Sequence, residues 1–296
     1  MNTSFEVPLG QRYQVGERRL FLHRSGTGGP AVVFLPGASA LGLDYLNVHD
    51  RISAFTTSVL YDRAGTGWSD PAGLPRPLAE VASELRLLLQ VADVAPPYVL
   101  AAHSLGGAYA RRFLRLFPDE VAGVVYLDSF AHEEWDIHHT DERLRLKPQP
   151  VPGTLMLRLV TLLSRGLYRK MFATWPSEVR DALIAQHLTV EAQRAGALER
   201  SNQHQWGEEL KAAGPVPGKP AIVLTAPGID AALRFTMPKR LLQEMTEGKI
   251  RMHRAMAASV ADGEHRVLPG AKHSTIGTDC PDEVVQAIFD LWRRVR

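Results

Sequence analysis

Tyr98-Val99-Leu100-Ala101-Ala102-His103-Ser104-Leu105-Gly106-Gly107-Ala108-Tyr109-Ala110 decides the reading of this chain. An apolar, β-prone run ends in a small residue, X, Ser, X, Gly, and a helix-period segment over 105–117 begins at once. A serine in that pattern occupies a sharp, strained strand-to-helix turn, and its small neighbours let the backbone pass without collision. Ala102 stands at the first small position, which is more often glycine, and adds only a methyl group there. The turn aims the Ser104 hydroxyl away from the sheet, while the N-terminus of the following helix favours negative charge developing nearby. A serine hydroxyl is a poor nucleophile at its own pKa, so the pattern demands a base and a third group that orients it.

Around this stretch the chain alternates short apolar runs with helix-period segments, the signature of a mostly parallel sheet covered by helices. The runs are 31–35, 57–61, 98–101 and 123–127, with a helix expected over 78–91, where Val81, Leu85, Leu88 and Leu89 share a face. Two later runs, 221–225 and 265–268, add strands, and a closing helix starts near Asp282 behind Pro281. Residues 13–15 and 20–23 flank Gly16 and read as an antiparallel hairpin on the sheet edge. The interval 131–219 is helical in pattern and holds no clear strand, so the core is expected over 1–130 and 220–296 with 131–219 inserted as a helical cap. Pro215, Pro217, Gly218 and Pro220 mark its exit. Within it, 155–163 and 167–172 are amphipathic, with Arg158, Arg165, Arg169 and Lys170 on the other side. That pattern could lie on a membrane surface, but the expectation is that its apolar face packs on the core.

The balance of the 296 residues is that of an ordinary globular protein, with 45% hydrophobic and 22% charged residues. Thirty-four Lys+Arg against 32 Asp+Glu, interleaved, make no electrostatic case for nucleic acid. A single cysteine, Cys280, excludes an internal disulfide and fits a reducing compartment, and it reads as inert packing at a helix start. Residues 1–10 lack the basic and apolar stretches of a secretory signal, and no run of about 18 uncharged apolar residues exists to span a membrane. A cytoplasmic location is expected.

The base should lie far along the chain, past the last strand. His273 does, in the loop between the run 265–268 and the final helix. His103 adjoins Ser104 but points differently at a sharp turn and reads as structural. His132, His138 and His139 lack the HExxH spacing, so no metal site is expected, and no cofactor.

With these residues in view, the chain resembles the α/β-hydrolase superfamily over nearly its whole length, in the haloalkane-dehalogenase-like branch but with a serine as nucleophile. Phe34-Leu35-Pro36-Gly37-Ala38 is similar to the family's oxyanion loop, with Pro36 where a histidine is usual, and Asp62-Arg63-Ala64-Gly65-Thr66-Gly67-Trp68-Ser69 resembles its D-x-x-G-x-G-x-S segment. The resemblance implies an oxyanion hole formed by the backbone N–H groups of Ala38 and Leu105. It leaves two positions for the acid. Asp128 follows the run 123–127, the location in some dehalogenase-like relatives, and Asp230 follows the run 221–225, the location more common across the superfamily. Asp128 is preferred because the stretch leading to Asp230 is slightly longer than the family's usual strand-to-acid spacing and includes Pro227-Gly228, which can steer the side chain elsewhere.

A serine nucleophile disfavours dehalogenase and epoxide hydrolase chemistry, which this fold performs with aspartate. The expected reaction is hydrolysis of a carboxylic ester of small or medium size through an acyl-enzyme on Ser104, with water as second substrate. Carbon–carbon bond hydrolysis, lactone hydrolysis, a lyase reaction and a small-molecule receptor remain as alternatives. Trp135, Met156, Leu159, Trp175 and Trp206 are the substrate-binding candidates in the cap.

Overall fold

A computed structural model describes residues 7–296. Eight strands form one sheet: β1 Gln11–Val15, β2 Arg18–Ser25, β3 Ala31–Leu35, β4 Ser58–Tyr61, β5 Tyr98–His103, β6 Val121–Leu127, β7 Ala221–Thr225 and β8 Gly263–Val267, in the order β1-β2-β4-β3-β5-β6-β7-β8. From β4 to β8 the pairing is parallel, whereas β1 pairs β2 and β2 pairs β4 antiparallel. The first two strands are the expected hairpin, turning at Gly16, whose φ is +57°.

Parallel strands covered on both faces must be apolar on both, and β3 and β5 show it. Val33, Leu35, Leu100 and Ala102 point to one side and Val32, Phe34, Val99 and Ala101 to the other, all buried. On the first side lie α2 (Leu78–Val91), α3 (Gly106–Leu116) and α10 (Lys239–Ala258), and on the second lie α1 (Leu46–Ile52) and α12 (Pro281–Val295). In α12, Val284, Ala287, Ile288 and Leu291 repeat at three- and four-residue intervals and are fully buried. Each of the large ones contributes about 1.5–3 kcal/mol by leaving water.

Between β6 and β7 the chain is helical: α4 Trp135–His138, α5 Thr154–Met171, α6 Ser177–His187, α7 Val190–Ser201 and α8 Gln203–Ala212. Side chains tie this insertion to loops of the sheet. Glu199 on α7 pairs with Arg63 at 2.8 Å, His187 on α6 with Asp44 at 2.8 Å, and the Trp175 indole donates to the Leu43 carbonyl at 2.9 Å. After β7 come α9 (Ala231–Thr236) and α10, elements to which the sequence reading gave no place, and α11 (Ile276–Asp279) precedes α12.

One expectation fails. The apolar face of α5 does not pack on the core: Leu157 is its one buried residue, while Leu155, Met156, Leu159, Leu162, Leu163 and Leu167 are each about half or more exposed. The helix rests on α6 and α7 through its opposite, weakly apolar side, where Val160, Thr161, Ser164 and Tyr168 are half-buried.

Candidate functional site

The site lies at the carboxyl ends of the parallel strands, where open α/β sheets bind ligands. Ser104 follows β5 directly and has φ +52°, a left-handed conformation uncommon for a residue with a side chain. The turn is possible because Gly106 and Gly107 follow: a Cβ on Gly106 would stand 2.0 Å from the Leu35 carbonyl oxygen, and one on Gly107 2.5 Å from the Ser129 side chain. Asp128 follows β6 in the same way, with φ +48°.

Ser104, His273 and Asp128 are joined by hydrogen bonds. His273 Nε2 is 2.9 Å from Ser104 Oγ and His273 Nδ1 is 2.7 Å from Asp128 Oδ2. A carboxylate only accepts, so Nδ1 carries the proton and Nε2 is free to accept from the serine. Asp230, the other acid position, accepts instead from Ser274, at 3.0 Å from its hydroxyl and 3.4 Å from its amide.

Asp128 is fully buried and completely engaged. Its Oδ1 accepts the Ala226 amide at 2.8 Å, and its Oδ2, besides His273, meets the Lys249 ammonium at 2.8 Å. Lys249, on α10, is itself buried and also donates to the Ala226 carbonyl at 2.5 Å. Burial would push the Asp128 carboxyl up, but Lys249 first and then His273 outweigh it and hold the group far below the usual carboxylate range. A chain of hydrogen bonds continues behind. His253 donates through Nε2 to the Ser129 carbonyl at 2.7 Å, which leaves its Nδ1 to accept from Thr225 Oγ1 at 2.7 Å, and Thr225 in turn accepts from His265 at 2.8 Å. Burial lowers the His253 pKa to about 4, so it stays neutral.

His103 has a supporting place. Its Nε2 donates to the His273 carbonyl at 2.9 Å and its Nδ1 accepts from the Tyr45 hydroxyl at 2.7 Å. Burial lowers its pKa to about 3. The loop after β3 runs against it: a Cβ on Gly37 would stand 3.1 Å from both His103 Nδ1 and Ser104 Cβ. Arg63 fixes this loop by donating to the carbonyls of Pro36 at 2.8 Å and Gly37 at 2.9 Å, while Glu199 accepts from Arg63 and, at 3.1 Å, from the Ser39 amide. Among the described residues the amides of Ala38 and Leu105 have no protein acceptor. The segment 62–69 braces the same region. Asp62 accepts from the amides of Gly42 and Trp68, and a Cβ on Gly67 would collide with its carboxylate at 2.0 Å.

The candidate substrate contacts are dispersed. Trp135 stacks on His139 and, with Phe130 and His273, borders a cavity of about 80 Å³. Trp175 borders a larger one of about 670 Å³, with Leu167, Met171, Ile229, Ala231 and Ser274. Trp206 is buried between Tyr109 and His132. Met156 and Leu159 are exposed on α5. His132 and His139 are buried within the helical insertion, each against a tryptophan. No helix among the described residues is long and apolar enough to cross a membrane.

Sequence reasoning missed Lys249 and the Arg63–Glu199 pair. Arg63 lies inside the segment that drew attention, but its partner is 136 residues away in the insertion. Lys249 had no element to place it.

Comparison with known proteins agrees with this architecture. Residues 32–287 match the model of the alpha/beta hydrolase family. Among solved structures, a thermophilic esterase from Thermogutta terrifontis is 20% identical and superposes over 97% of this chain and 99% of its own, with TM-score 0.63. The enol-lactonase from Burkholderia xenovorans is 16% identical over 95% of this chain and 99% of its own, with TM-score 0.62. Curated relatives match over shorter spans. An uncharacterised protein of Schizosaccharomyces pombe is 40% identical over 83 residues, 28% of this chain and 16% of that one, and YqjL of Bacillus subtilis is 30% identical over 131 residues, 40% of this chain and 50% of that one. The chain thus spans half or less of the length of these relatives. With the family model covering most of its residues, the chain belongs to the alpha/beta hydrolase family.

Proposed function

We propose that this protein is a serine hydrolase that cleaves a carboxylic ester of small or medium size. The observation that carries the reading is the continuous bonding from Ser104 Oγ through His273 to Asp128, with the serine held in the left-handed turn after β5. Ser104 attacks the ester carbonyl as its proton passes to His273 Nε2. The negative oxygen of the tetrahedral intermediate takes hydrogen bonds from the Ala38 and Leu105 amides, which have no other protein acceptor. The intermediate collapses as the imidazolium returns the proton to the departing alkoxide, leaving an acyl-serine and an alcohol. Water, deprotonated by the same imidazole, then releases the carboxylic acid. Asp128 keeps the imidazole in the required tautomer and offsets its charge. Its neutralised carboxyl would do neither, and its depressed pKa keeps it ionised.

A cavity that reaches Ser274, the residue after His273, supports the substrate size, although neither Ser104 nor His273 lines it. The cavity of about 670 Å³ beside Ser274 is within the usual range for small-molecule pockets, and Trp175 and Met171 give it apolar wall. Hydrolysis of short-chain p-nitrophenyl esters tests the proposal. Ser104→Ala and His273→Ala are expected to abolish turnover in folded protein. Full turnover in Ser104→Ala would sink it.

A further inference from the structure

The helix α5 carries four cations, Arg158, Arg165, Arg169 and Lys170, and no aspartate or glutamate. None of the four is paired with a carboxylate among the described residues. At 3.6 residues per turn, Leu155, Met156, Leu159, Leu162, Leu163 and Leu167 fall within an arc of about 140°, Arg158, Arg165 and Arg169 form a row along one edge of that arc, and Lys170 lies within it near the helix's C-terminal end. Leu155 is 83% exposed, Leu162 73% and Leu163 71%. The opposite side of the helix is the one that rests on α6 and α7. A contiguous set of six large apolar side chains in water is a cost that a folded domain carries for a partner.

We propose that α5 docks this protein onto an anionic phospholipid surface, with the leucine arc at the acyl boundary and the arginine row among the headgroup phosphates. Charge selects the partner. A second copy seated α5 to α5 would bring eight cations together with no carboxylate on either helix to offset them. An anionic bilayer offers the complementary charge, and its fluid interior accepts a convex ridge of leucines without a matching groove. The position of the helix fits. Leu167, Lys170 and Met171 at its C-terminal end wall the cavity of about 670 Å³, whose other wall is α9, and the neighbouring Phe235 on α9 is 91% exposed. Docking would set the mouth of that cavity close to the lipid. This inference stands whether or not Ser104 acts as a nucleophile.

Co-sedimentation of the full chain with vesicles tests it, using phosphatidylcholine alone and phosphatidylcholine mixed with phosphatidylglycerol. Wild type is expected to pellet with the mixed vesicles, to release at high salt, and to bind phosphatidylcholine alone weakly. Arg158→Glu/Arg165→Glu/Arg169→Glu is expected to weaken partitioning about a hundredfold, since each basic residue at such a surface is worth roughly fivefold. Leu155→Ser/Leu159→Ser/Leu162→Ser is expected to abolish it. All six positions are exposed, so both variants should melt like wild type. Wild type left in the supernatant with mixed vesicles, or a serine variant that partitions like wild type, would overturn the proposal. So would a wild-type dimer in sedimentation that the serine variant dissolves, because a second copy would then cover the face.

Discussion

Two buried ion pairs flank Ser104, and they work differently. Arg63–Glu199 joins the sheet to the inserted helices, and all of its bonds serve position: the guanidinium fork reaches Glu199 and the carbonyls of Pro36 and Gly37, holding the loop that presents the Ala38 amide. Lys249–Asp128 joins α10 to the end of β6, and it acts on charge. A compact ammonium shares one carboxylate oxygen with His273, so it keeps that carboxyl ionised while competing for the atom that holds the imidazole. The planar, permanently charged fork suits the first task and the point charge the second. Burial of a charged pair therefore identifies its role only when the bonds are followed atom by atom.

The largest effect should come from the acid that both His273 and Lys249 touch. Asp128→Asn is expected to lower kcat on p-nitrophenyl esters by about 10⁴-fold, as loss of the orienting acid does in comparable triads. Lys249→Met should lose less at neutral pH and more as pH falls, because the His273–Asp128 bond survives it but the buried carboxyl loses the charge that holds its pKa down; equal losses in the two variants at neutral pH would erase the distinction between the pairs. On the other side, Arg63→Met strands Glu199 in the interior and should destabilise the fold by about 3–5 kcal/mol in urea unfolding. Arg63→Met/Glu199→Leu should regain most of that stability but not the activity, since the carbonyls of Pro36 and Gly37 still lack their donors.

Titration reaches both sides. His103 and His253 are lowered to about 3 and about 4 by burial, His253 behind Asp128 and His103 between His273 and the loop after β3. The unfolded chain takes up these protons near pH 6.5 and the folded chain resists until far lower. Their contribution is thus fully present above about pH 6.5 and lost progressively as pH falls below it. Asp62, raised to about 6 by burial, works the other way and offsets part of the loss. Melting temperature should therefore decline between pH 7 and pH 5, before ordinary carboxylates titrate; a flat profile would contradict this. The smallest effect belongs to Asp230→Asn, whose half-exposed partner is Ser274: stability should change by less than about 1 kcal/mol, and esterase activity should hardly change.

Legibility in the sequence followed local constraint. Strands β3 and β7 and helix α2 have the expected bounds because both faces of a buried strand, or one stripe of a helix, must be apolar. The turn at Ser104 was legible because only small residues can flank it. The helix α10 was not. Its inward stripe runs Leu241, Leu242, Gly248, Lys249, Met252, His253 and Met256, so the apolar period breaks where the helix supplies Lys249 and His253. Conversely, α5 has a clean amphipathic period that the core does not use, since period alone reports that a face is apolar and not what covers it. Long-range partners such as Arg63 and Glu199 leave no local mark at all.

The central claim is that Ser104 is the nucleophile, activated through His273. Reaction with a fluorophosphonate followed by mass analysis of intact and digested protein tests it most directly. The account predicts a single stoichiometric adduct on Ser104, absent in Ser104→Ala and strongly slowed in His273→Ala. A wild-type protein that remains unlabelled, or an adduct on another residue, would contradict it.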